Sequence, residues 1–377
     1  MQSAEFGMER GSKDYKPILG IVNLEVKRGG ITTLNIPSLF VQEGELLSLI
    51  GPNGAGKTTL LQTLSYLIKP SQGKIYFKGE ELNSTRPVFE YRRKFAMVFQ
   101  EPLLFDTTVF GNVASGLKIR GMNGMEIRSR VTEQLDRLGI SHLSHRSAKT
   151  LSGGEAQRTS LARAFAIQPE VLLLDEPFSS LDPPSRDSII EDLVGILRQT
   201  RTTTVFATHD RLEALRLSNR IAVMNDGRIQ QIGSPGEVMN HPANEFVASF
   251  VGVETILTGK VIKKNGGTFI ISISGQEIEA VGEAQIGEAV LLCIRPENVI
   301  LSTRPSRETT SARNVFPGRI EKVISLGLYQ KVQLNCGFPL IAYVTHHSIE
   351  NLSLQVGKEV TASFKATAIH VVRRKQK

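Results

Sequence analysis

Residues 51–59 read Gly-Pro-Asn-Gly-Ala-Gly-Lys-Thr-Thr, directly after a short apolar run at residues 45–50. Leu60, Leu61 and Leu64 follow with the spacing of an amphipathic helix. Strand, glycine-rich loop and helix in this order, with Lys-Thr at the start of the helix, are typical of a P-loop. Glycine has no side chain, so the backbone of such a loop can wrap around a phosphate chain and point N–H groups at it. The sequence therefore predicts a nucleoside triphosphate site here.

The loop and the first turn of its helix supply most of the predicted nucleotide contacts. The helix adds the partial positive charge of its N-terminus. We expect the Lys57 ammonium to reach the β- and γ-phosphates and the Thr58 hydroxyl to ligate Mg²⁺. The predicted nucleotide-binding residues of this segment are Gly51, Pro52, Asn53, Gly54, Ala55, Gly56, Lys57, Thr58 and Thr59. A coincidental glycine-rich turn is disfavoured, because strand, loop, Lys-Thr and helix all stand in register.

Composition places the chain among globular proteins with more than one domain. Its 377 residues are enough for two or three domains, and 40% apolar residues is an ordinary content. The formal charge of +8 permits attraction to nucleic acid or to an anionic membrane. A solvated basic surface is the commoner cause of such a charge, and we predict no nucleic-acid partner. Cys293 and Cys336 are too isolated for a metal site or a disulfide framework, which fits a reducing compartment.

Two features of the sequence concern targeting and membranes. Residues 1–16 are polar, lack the apolar core of a signal peptide and are predicted to be a flexible leader. No apolar run approaches the roughly 20 residues that span a bilayer. If the protein works at a membrane, we expect another chain to do the spanning.

Strand-like and helix-like segments alternate along residues 17–245. Residues 95–99, 171–174 and 203–207 are apolar and of strand length. Residues 189–197 have the periodicity of a helix, as do residues 127–138. Strands that alternate with helices favour a parallel sheet covered by helices on both faces. The predicted fold class of this part is therefore α/β, of the P-loop NTPase type.

Residues 151–158, Leu-Ser-Gly-Gly-Glu-Ala-Gln-Arg, form a second anion-binding pattern. Ser152 is a natural N-cap, and the two glycines after it leave backbone N–H groups open at the positive end of a helix. One phosphate chain can contact both helix ends only if two copies of the domain face each other across it. With this motif, residues 17–245 resemble the ATP-binding subunit of ABC transporters. The resemblance implies ATP as the nucleotide, a homodimer, and a RecA-like core with a helical subdomain at about residues 101–166.

The resemblance also implies roles for residues that follow the predicted strands. Asp175 and Glu176 end an apolar strand, where the family places a carboxylate for Mg²⁺ and a general base. His209 matches the switch histidine, which contacts the γ-phosphate, and Gln100 matches the residue that senses the metal and the water. The implied catalytic residues are Glu176, His209 and Gln100; the Mg²⁺ ligands are Thr58, Gln100 and Asp175; the residues that face the opposite ATP are Ser152, Gly153, Gly154 and Gln157; and the D-loop residue is Asp182.

One position departs from the family pattern. The aromatic residue that stacks on adenine is replaced by Arg28, whose guanidinium plane can also stack on a purine. Arg28 is therefore the predicted adenine contact, and Tyr15 is a nearby alternative. Base selectivity and affinity stay open at this point.

Proteins outside transport also contain this cassette. Chromosome and repair ATPases insert long coiled coils between the two motifs, but no sustained heptads lie between Lys57 and Ser152. Translation-associated members carry two cassettes in one chain, whereas this sequence has one P-loop. Transport is thus the favoured interpretation. The chain would be a peripheral subunit on the cytoplasmic face of the cell membrane, where residues 101–105 and the following helical segment dock on a transmembrane permease subunit.

From residue 250 to residue 377 the sequence changes to short alternating strands, typical of a small all-β, OB-like domain. The clearest strands are residues 269–273, 277–281, 331–335 and 340–344. An internal repeat relates residues 287–299 to residues 357–369, with Arg295 and Lys365 at equivalent positions. We therefore predict two barrel halves, joined by a polar linker at residues 302–310.

The two halves resemble different families. Residues 294–298, Ile-Arg-Pro-Glu-Asn, resemble the regulatory barrel of several ABC importers of small solutes. Residues 311–372 resemble the Mop domain, whose family binds molybdate or tungstate. A tetrahedral dianion without a proton requires only donors. The predicted oxyanion ligands are Ser311, Arg313, Thr345, Ser348 and Lys365. Ordinary salt bridges on a barrel surface are the competing interpretation of these residues.

The predicted function is ATP hydrolysis for the import of molybdate or tungstate, with a C-terminal domain that senses the oxyanion. An extracellular oxyanion-binding protein would set the specificity indirectly. The alternatives are an importer of another solute, such as sulfate, Fe³⁺, a polyamine or a sugar, with a barrel that is only structural or dimerising, and a non-transport oxyanion store or sensor. His346 and His347 are not predicted to bind a metal, because adjacent strand residues point to opposite faces.

Overall fold

The structure, a computed structural model, describes residues 17–82, 88–303 and 311–373. The chain divides into two compact units, one up to Pro235 and one from Gly236. The predicted domain limits at residues 245 and 250 stay a prediction. The predicted leader, Tyr15 and residues 304–310 of the predicted linker lie outside the described residues.

The strands of the first unit form two sheets. They are β1 Pro17–Arg28, β2 Ile31–Gln42, β3 Leu46–Ile50, β4 Gln72–Phe77, β5 Glu80–Glu81, β6 Phe95–Val98, β7 Val171–Asp175, β8 Thr203–Thr208, β9 Arg220–Asn225 and β10 Arg228–Gly233. The larger sheet has the order β10-β9-β3-β8-β7-β6, in which β9 to β6 run parallel and β10 antiparallel. The smaller sheet, β2-β1-β4-β5, is antiparallel. The predicted parallel sheet is confirmed.

Helices connect these strands. They are α1 Lys57–Leu64, α2 Val88–Arg92, α3 Val109–Ile119, α4 Gly124–Arg137, α5 Gly153–Ala166, α6 Pro183–Thr200 and α7 Arg211–Leu217. Helix α6 begins earlier than its predicted start at residue 189. The Asp182 side chain caps it by accepting a hydrogen bond from the backbone N–H of Ser185, and prolines occupy its first turn. Such a cap contributes about 1 kcal/mol, and proline presets the helical φ, so the polar first turn is helical without apolar periodicity.

The larger sheet is buried on both faces, as expected. Successive side chains of a strand point to opposite faces. On β7, Leu172 packs in a core with residues of α3 to α6, whereas Leu173 packs in a second core with residues of α1, β1 and β2. On β8, Phe206 packs in the first of these cores and Val205 in the second. This packing fixes the ends of the parallel strands, where the functional residues follow.

The second unit consists mainly of short strands. Two helices, α8 Pro235–Asn240 and α9 Glu245–Phe250, precede them, and a third, α10 His346–Asn351, lies among them. The strands are β11 Thr255–Asn265, β12 Thr268–Ile273, β13 Gln276–Val281, β14 Ala289–Ile294, β15 Ile300–Ser302, β16 Asn314–Ser325, β17 Gln330–Asn335, β18 Pro339–Val344, β19 Glu359–Phe364 and β20 Ile369–Arg373. Within the described ranges, every helix is too short or too polar to cross a membrane.

The predicted internal repeat is visible in the strand topology. Each half has four consecutive antiparallel strands, in the orders β13-β12-β11-β14 and β18-β17-β16-β19. Arg295 and Lys365 each precede a 3₁₀ turn that follows the equivalent strands β14 and β19. The last strand of each half then joins the other half, because β15 pairs with β19 and β20 pairs with β14. The two halves share one apolar core.

The strand interpretation of His346 and His347 was wrong. Strand β18 ends at Val344, and helix α10 begins at His346. The Thr345 side chain caps this helix by accepting a hydrogen bond from the backbone N–H of Ser348 at 3.2 Å. A threonine N-cap outweighed the apolar alternation that precedes it. The argument from opposite faces of a strand therefore does not apply to these histidines.

Candidate nucleotide-binding site

The carboxyl ends of β3, β7 and β8 meet at one edge of the larger sheet and position the site. Gly51 follows β3, Glu176 follows β7 and His209 follows β8. Open α/β sheets bind ligands at this edge. A cleft of about 590 Å³ opens here. Its lining residues are Thr32, Thr33, Asn53, Gly54, Ala55, Gly56, Lys57, Thr58, Thr59, Gln100, Glu176, Asp226 and Gly227.

The P-loop backbone requires glycine where it enters helix α1. Gly56 has a φ of 97° and precedes the first helical residue. A Cβ at this position would lie 2.7 Å from Cδ2 of Leu34 and 3.3 Å from the carbonyl oxygen of Thr33. Both the left-handed φ and the close approach exclude a larger side chain. The loop can therefore present its N–H groups and the N-terminus of α1 to an anion.

Lys57 is a buried cation held by the P-loop itself. Its side chain is 5% exposed, and Nζ donates hydrogen bonds to the carbonyl oxygens of Gly51 at 2.9 Å and Pro52 at 3.2 Å. The same Nζ lies 3.4 Å from Oε1 of Glu176. A buried charge requires hydrogen bonds and an opposite charge nearby, and Lys57 has both. Its ammonium is thus fixed on the floor of the cleft.

Thr58 and Asp175 form an oxygen pair beside Lys57. The Thr58 hydroxyl donates to Oδ1 of Asp175 at 2.9 Å. Burial raises the pKa of the Asp175 carboxyl above its usual range, and the neighbouring Glu176 charge adds to the rise, while Thr58 and Lys57 oppose it. A hydroxyl and a carboxylate are ligands that Mg²⁺ prefers, and a bound cation would stabilise this desolvated carboxylate. The pair therefore fits Mg²⁺, and Gln100 lines the same cleft.

Glu176 lies between Lys57 and His209. Its Oε2 is 2.9 Å from Nδ1 of His209, while its Oε1 faces the Lys57 ammonium. The backbone of Glu176 has a left-handed φ of 45°, and its N–H donates to the carbonyl oxygen of Ala207 at 2.9 Å. A left-handed residue other than glycine costs about 1–2 kcal/mol, and such strain is common at functional sites. The strained turn aims the carboxylate into the cleft.

The N-terminus of helix α5 is exposed, and Ser152 and Glu155 cap it reciprocally. The hydroxyl of Ser152 accepts from the backbone N–H of Glu155 at 3.3 Å, and the Glu155 carboxylate accepts from the backbone N–H of Ser152 at 2.7 Å. This reciprocal capping box fixes the first turn. Ser152 and Gly153 are exposed to solvent, and neither lines the cleft of its own chain.

Gln157 and Asp182, two further predicted site residues, differ in their exposure to solvent. Gln157 is 1% exposed, and both polar atoms of its side chain lack a hydrogen-bond partner within the described part of the chain. It lies one turn inside α5, on the buried side, and its contact with a facing ATP stays a prediction. Asp182 is exposed at the start of α6, where hydrogen bonds from Ser185 hold its pKa below the usual range.

Arg28 lies outside the cleft lining. Its Nη2 donates to Oε1 of Gln62 at 3.1 Å in an exposed hydrogen bond, with Arg28 exposed and Gln62 half-buried. An exposed pair of this kind contributes little to stability, so it does not fix the guanidinium in place. Stacking of Arg28 on adenine stays a prediction.

Sequence reasoning missed four lining residues, which are Thr32, Thr33, Asp226 and Gly227. The first two belong to β2, and the last two form the turn between β9 and β10. The backbone N–H of Gly227 donates to the carbonyl oxygen of Ala55 at 3.1 Å, so this turn is hydrogen-bonded to the P-loop. The Asn-Asp-Gly sequence signals a hairpin turn, but only the sheet order brings that turn to the loop.

The five predicted oxyanion ligands fall into two groups. Arg313 directly precedes β16, and the pairing of Asn314 with Phe364 places Arg313 beside Lys365. Ser311 belongs to the same segment, two residues earlier. Thr345 and Ser348 lie together at the start of α10, with their hydroxyl oxygens 2.9 Å apart.

These two groups lie at opposite ends of β16. Its first residue, Asn314, pairs with β19, next to the group with Lys365. Its last residue, Ser325, pairs with Gln330, which in turn pairs with Val344, next to the group with Thr345. One chain therefore does not bring all five predicted ligands into a single cluster.

Similarity to known proteins agrees with the geometry of the cleft. Residues 34–179 match the family described as ABC transporter, and residues 310–371 match the TOBE domain. The molybdate/tungstate import ATP-binding protein WtpC of Pyrococcus horikoshii is 39% identical over 336 residues, which cover 89% of this chain and 94% of that protein. The spermidine/putrescine import ATP-binding protein PotA of Legionella pneumophila is 38% identical over 326 residues, which cover 85% and 88%.

A solved structure is similar to the first unit. The structure of cbiO1 from Clostridium perfringens, part of the ABC transporter complex cbiONQ, is 32% identical with a TM-score of 0.56. The match covers 63% of this chain and 96% of that chain. The predicted fold and the resemblance to the ABC cassette are confirmed. The chain belongs to the ATP-binding subunits of ABC importers, which are ATPases, and carries a TOBE domain.

Proposed function

We propose that this chain is the ATP-hydrolysing subunit of an importer for molybdate or tungstate. It acts as a homodimer at the cytoplasmic face of a separate transmembrane permease. The observation that carries the chemistry is the Glu176 carboxylate, held between Lys57 at 3.4 Å and His209 at 2.9 Å. Similarity to WtpC over most of both chains supports the substrate.

Glu176 acts as the general base. Its carboxylate accepts a proton from a water molecule as the water attacks the γ-phosphorus in line with the leaving oxygen of the β-phosphate. With Nδ1 protonated, His209 donates to Oε2 and orients the carboxylate, so that Oε1 is left for the water. The contacts with Lys57 and His209 hold this carboxylate in the cleft.

The other residues of the cleft stabilise negative charge. Lys57 and the N–H groups of the P-loop bind the phosphate oxygens, on which charge accumulates in the transition state. Thr58, Asp175 and Gln100 would hold Mg²⁺, which neutralises charge on the β- and γ-phosphates when it is bound. The elements that carry these residues are rigid, because β3 and β7 are central strands of the sheet.

A second copy completes the site. Ser152 and Gly153 expose the positive end of α5, and an anion bound in the cleft of one copy is the ligand that this helix end suits. Two copies that face each other thus enclose two ATP molecules, each between a P-loop and an opposite Ser152–Gly154 tip. Closure on ATP and reopening after hydrolysis drive the permease between its access states.

Solute uptake in cells tests the substrate. Cells that lack this gene should lose uptake of labelled tungstate and molybdate, whereas uptake of spermidine should be unchanged. Complementation with the wild-type gene should restore the uptake of tungstate and molybdate, and complementation with the Glu176→Gln variant should not. Similarity to PotA makes a polyamine the specific alternative. Loss of spermidine uptake with normal tungstate uptake would show that the alternative is right.

The second unit is the proposed sensor of the imported oxyanion. Arg313 and Lys365 supply charge, and Ser311, Thr345 and Ser348 supply hydroxyls, for a dianion without protons. Because Thr345 and Ser348 lie at the opposite end of β16 from the other three, a ligand that needs all five residues takes them from two copies. A ligand regulates only if it prefers one state, and here it prefers the state with the ATP-binding domains apart.

Inhibition of ATP hydrolysis tests this sensor. Rising molybdate or tungstate should lower the ATPase rate of the complete transporter, and Arg313→Ala should abolish the response. Arg319→Ala is the matched control, since Arg319 is an exposed cation further along the same strand. A wild-type transporter that ignores both oxyanions would refute the sensor role without affecting the proposed hydrolysis.

A further inference from the structure

Arg186 connects two carboxylates that lie next to His209 in the fold. It is on α6, one turn after the cap residue Asp182. Its Nη1 lies 3.2 Å from Oδ2 of Asp210 and 3.7 Å from Oε1 of Glu213. Both carboxylates belong to the start of α7, directly after His209. One guanidinium thus joins the helix that begins at Asp182 to the turn that carries the switch histidine.

These two carboxylates fix the backbone on both sides of His209. Asp210 caps α7 by accepting from the backbone N–H groups of Leu212 at 2.7 Å and Glu213 at 3.4 Å. Glu213 accepts from the hydroxyl of Thr208 at 2.6 Å, and that hydroxyl accepts from the backbone N–H of Asp210 at 3.0 Å. The residues before and after the histidine are therefore held in one hydrogen-bonded ring.

The ring needs a cation to remain in this arrangement. Glu213 is 5% exposed, and Asp210 is a second acid close to it. Two carboxylates in a partly dry site repel each other, and a buried acid without a partner is costly. Arg186 contacts both and supplies the compensating charge. The His209 ring, by contrast, is about half exposed and has Glu176 as a side-chain partner.

We propose that Arg186 is the positioning residue for His209. It locks the turn at residues 208–210 to α6, so that His209 Nδ1 remains within reach of Glu176. Because α6 begins at Asp182, a shift of that helix start is transmitted to His209 through Arg186. This inference rests on the proposed roles of Glu176 and His209. It adds a structural link between the start of α6 and Glu176, the proposed general base.

A double-mutant cycle between Arg186 and His209 tests the link. Arg186→Gln should lower the single-turnover rate of ATP hydrolysis by at least about tenfold, a loss typical of a misplaced catalytic group. The KM for ATP should change little, since Arg186 does not line the cleft. In a His209→Ala background, Arg186→Gln should cause no further loss. Arg186→Lys, which keeps the charge, should restore part of the rate.

Arg216→Gln is the matched control. Arg216 of α7 pairs with Asp187 of α6 at 2.5 Å, so it joins the same two helices through exposed side chains but does not touch the ring around His209. This variant should keep the wild-type rate, and thermal unfolding should show that both single variants are folded. If Arg186→Gln does not fold, Glu213→Gln, which changes a carboxylate in contact with Arg186, replaces it in the same cycle.

The outcomes separate this inference from the proposed function. An equal rate loss from Arg186→Gln with and without His209 would overturn the link, as would an equal loss from Arg216→Gln. A His209→Ala variant with the wild-type rate would instead refute the proposed role of His209 itself.

Discussion

Nζ of Lys57 lies 3.4 Å from Oε1 of Glu176, so the proposed phosphate-binding cation and the proposed base are paired with each other. Both groups are largely buried, and each is the nearest opposite charge of the other. A triphosphate that enters the cleft competes for the Lys57 ammonium. We therefore expect nucleotide binding to release the Glu176 carboxylate, which until then is paired with Lys57.

Replacement of this base should separate binding from hydrolysis. Glu176→Gln removes the proton acceptor but keeps the shape of the side chain, so ATP binding and ATP-induced dimerisation should persist. Turnover should fall by roughly 10²- to 10⁴-fold, the usual contribution of general base catalysis. Phosphate release and size-exclusion chromatography with Mg²⁺-ATP measure the two effects. Glu191→Gln, an exposed acid on α6, is the control, and full turnover by Glu176→Gln would exclude this residue as the base.

Addition of one methyl group to the P-loop should abolish ATP binding. Gly56→Ala places a Cβ 2.7 Å from Leu34 at a φ of 97°, so the loop must shift away from its anion-binding shape. Equilibrium binding of a fluorescent ATP analogue should show the loss. Gly195→Ala in α6 is the opposite case, because open space surrounds it. That change should raise the free energy of unfolding by about 0.5–1 kcal/mol. Normal affinity in Gly56→Ala would contradict the steric argument.

Arg28 should contribute to recognition of the adenine ring of ATP, and not to recognition of its phosphates. If its guanidinium stacks on adenine, Arg28→Leu should weaken ATP binding, and Arg28→Tyr should restore most of the affinity. Titration calorimetry with ATP and with inorganic triphosphate distinguishes the two parts of the ligand. The affinity for inorganic triphosphate should be the same in all three proteins. An unchanged affinity of Arg28→Leu for ATP would mean that another residue contacts the adenine.

The stability of the first unit should depend on pH through Glu213. Burial raises the pKa of this carboxyl above its usual value, although the Thr208 hydrogen bond opposes the rise. The native state therefore keeps a proton that the unfolded chain releases, so the stabilisation is present at acid pH and is lost as the pH rises through the native pKa. In Glu213→Gln this dependence is absent. Urea unfolding from pH 4 to pH 7 should show the wild type losing stability relative to the variant as pH rises, and a constant difference would contradict the prediction.

Local patterns were sufficient for the residues that are consecutive in sequence. The P-loop, the strand before Asp175 and the cap at Ser152 each need only a few neighbouring residues, and the structure has them as expected. Asp226 and Gly227 were missed because the approach of their turn to the P-loop, where Gly227 contacts Ala55, depends on the sheet order. Helix α10 was missed because a single N-cap, Thr345, decided between a continued strand and a helix.

The predicted oxyanion ligands illustrate a different limit of sequence reasoning. Arg313 and Thr345 belong to one short domain, and its resemblance to the Mop domain together with its donor chemistry suggested one site. The antiparallel register instead places them at the two ends of β16. Residue chemistry was informative about the kind of ligand, but the number of chains that must contribute depends on strand pairing, which the residue types do not determine.

The exchange of β15 and β20 has a consequence for the origin of the second unit. A polypeptide with only β11 to β15 would leave the outer edge of β14 without its partner β20, and its own β15 without its partner β19. Two such polypeptides could satisfy each other by trading their last strands. The repeat thus has the topology of a strand-swapped dimer joined in one chain, and we expect a half expressed by itself to form such a dimer.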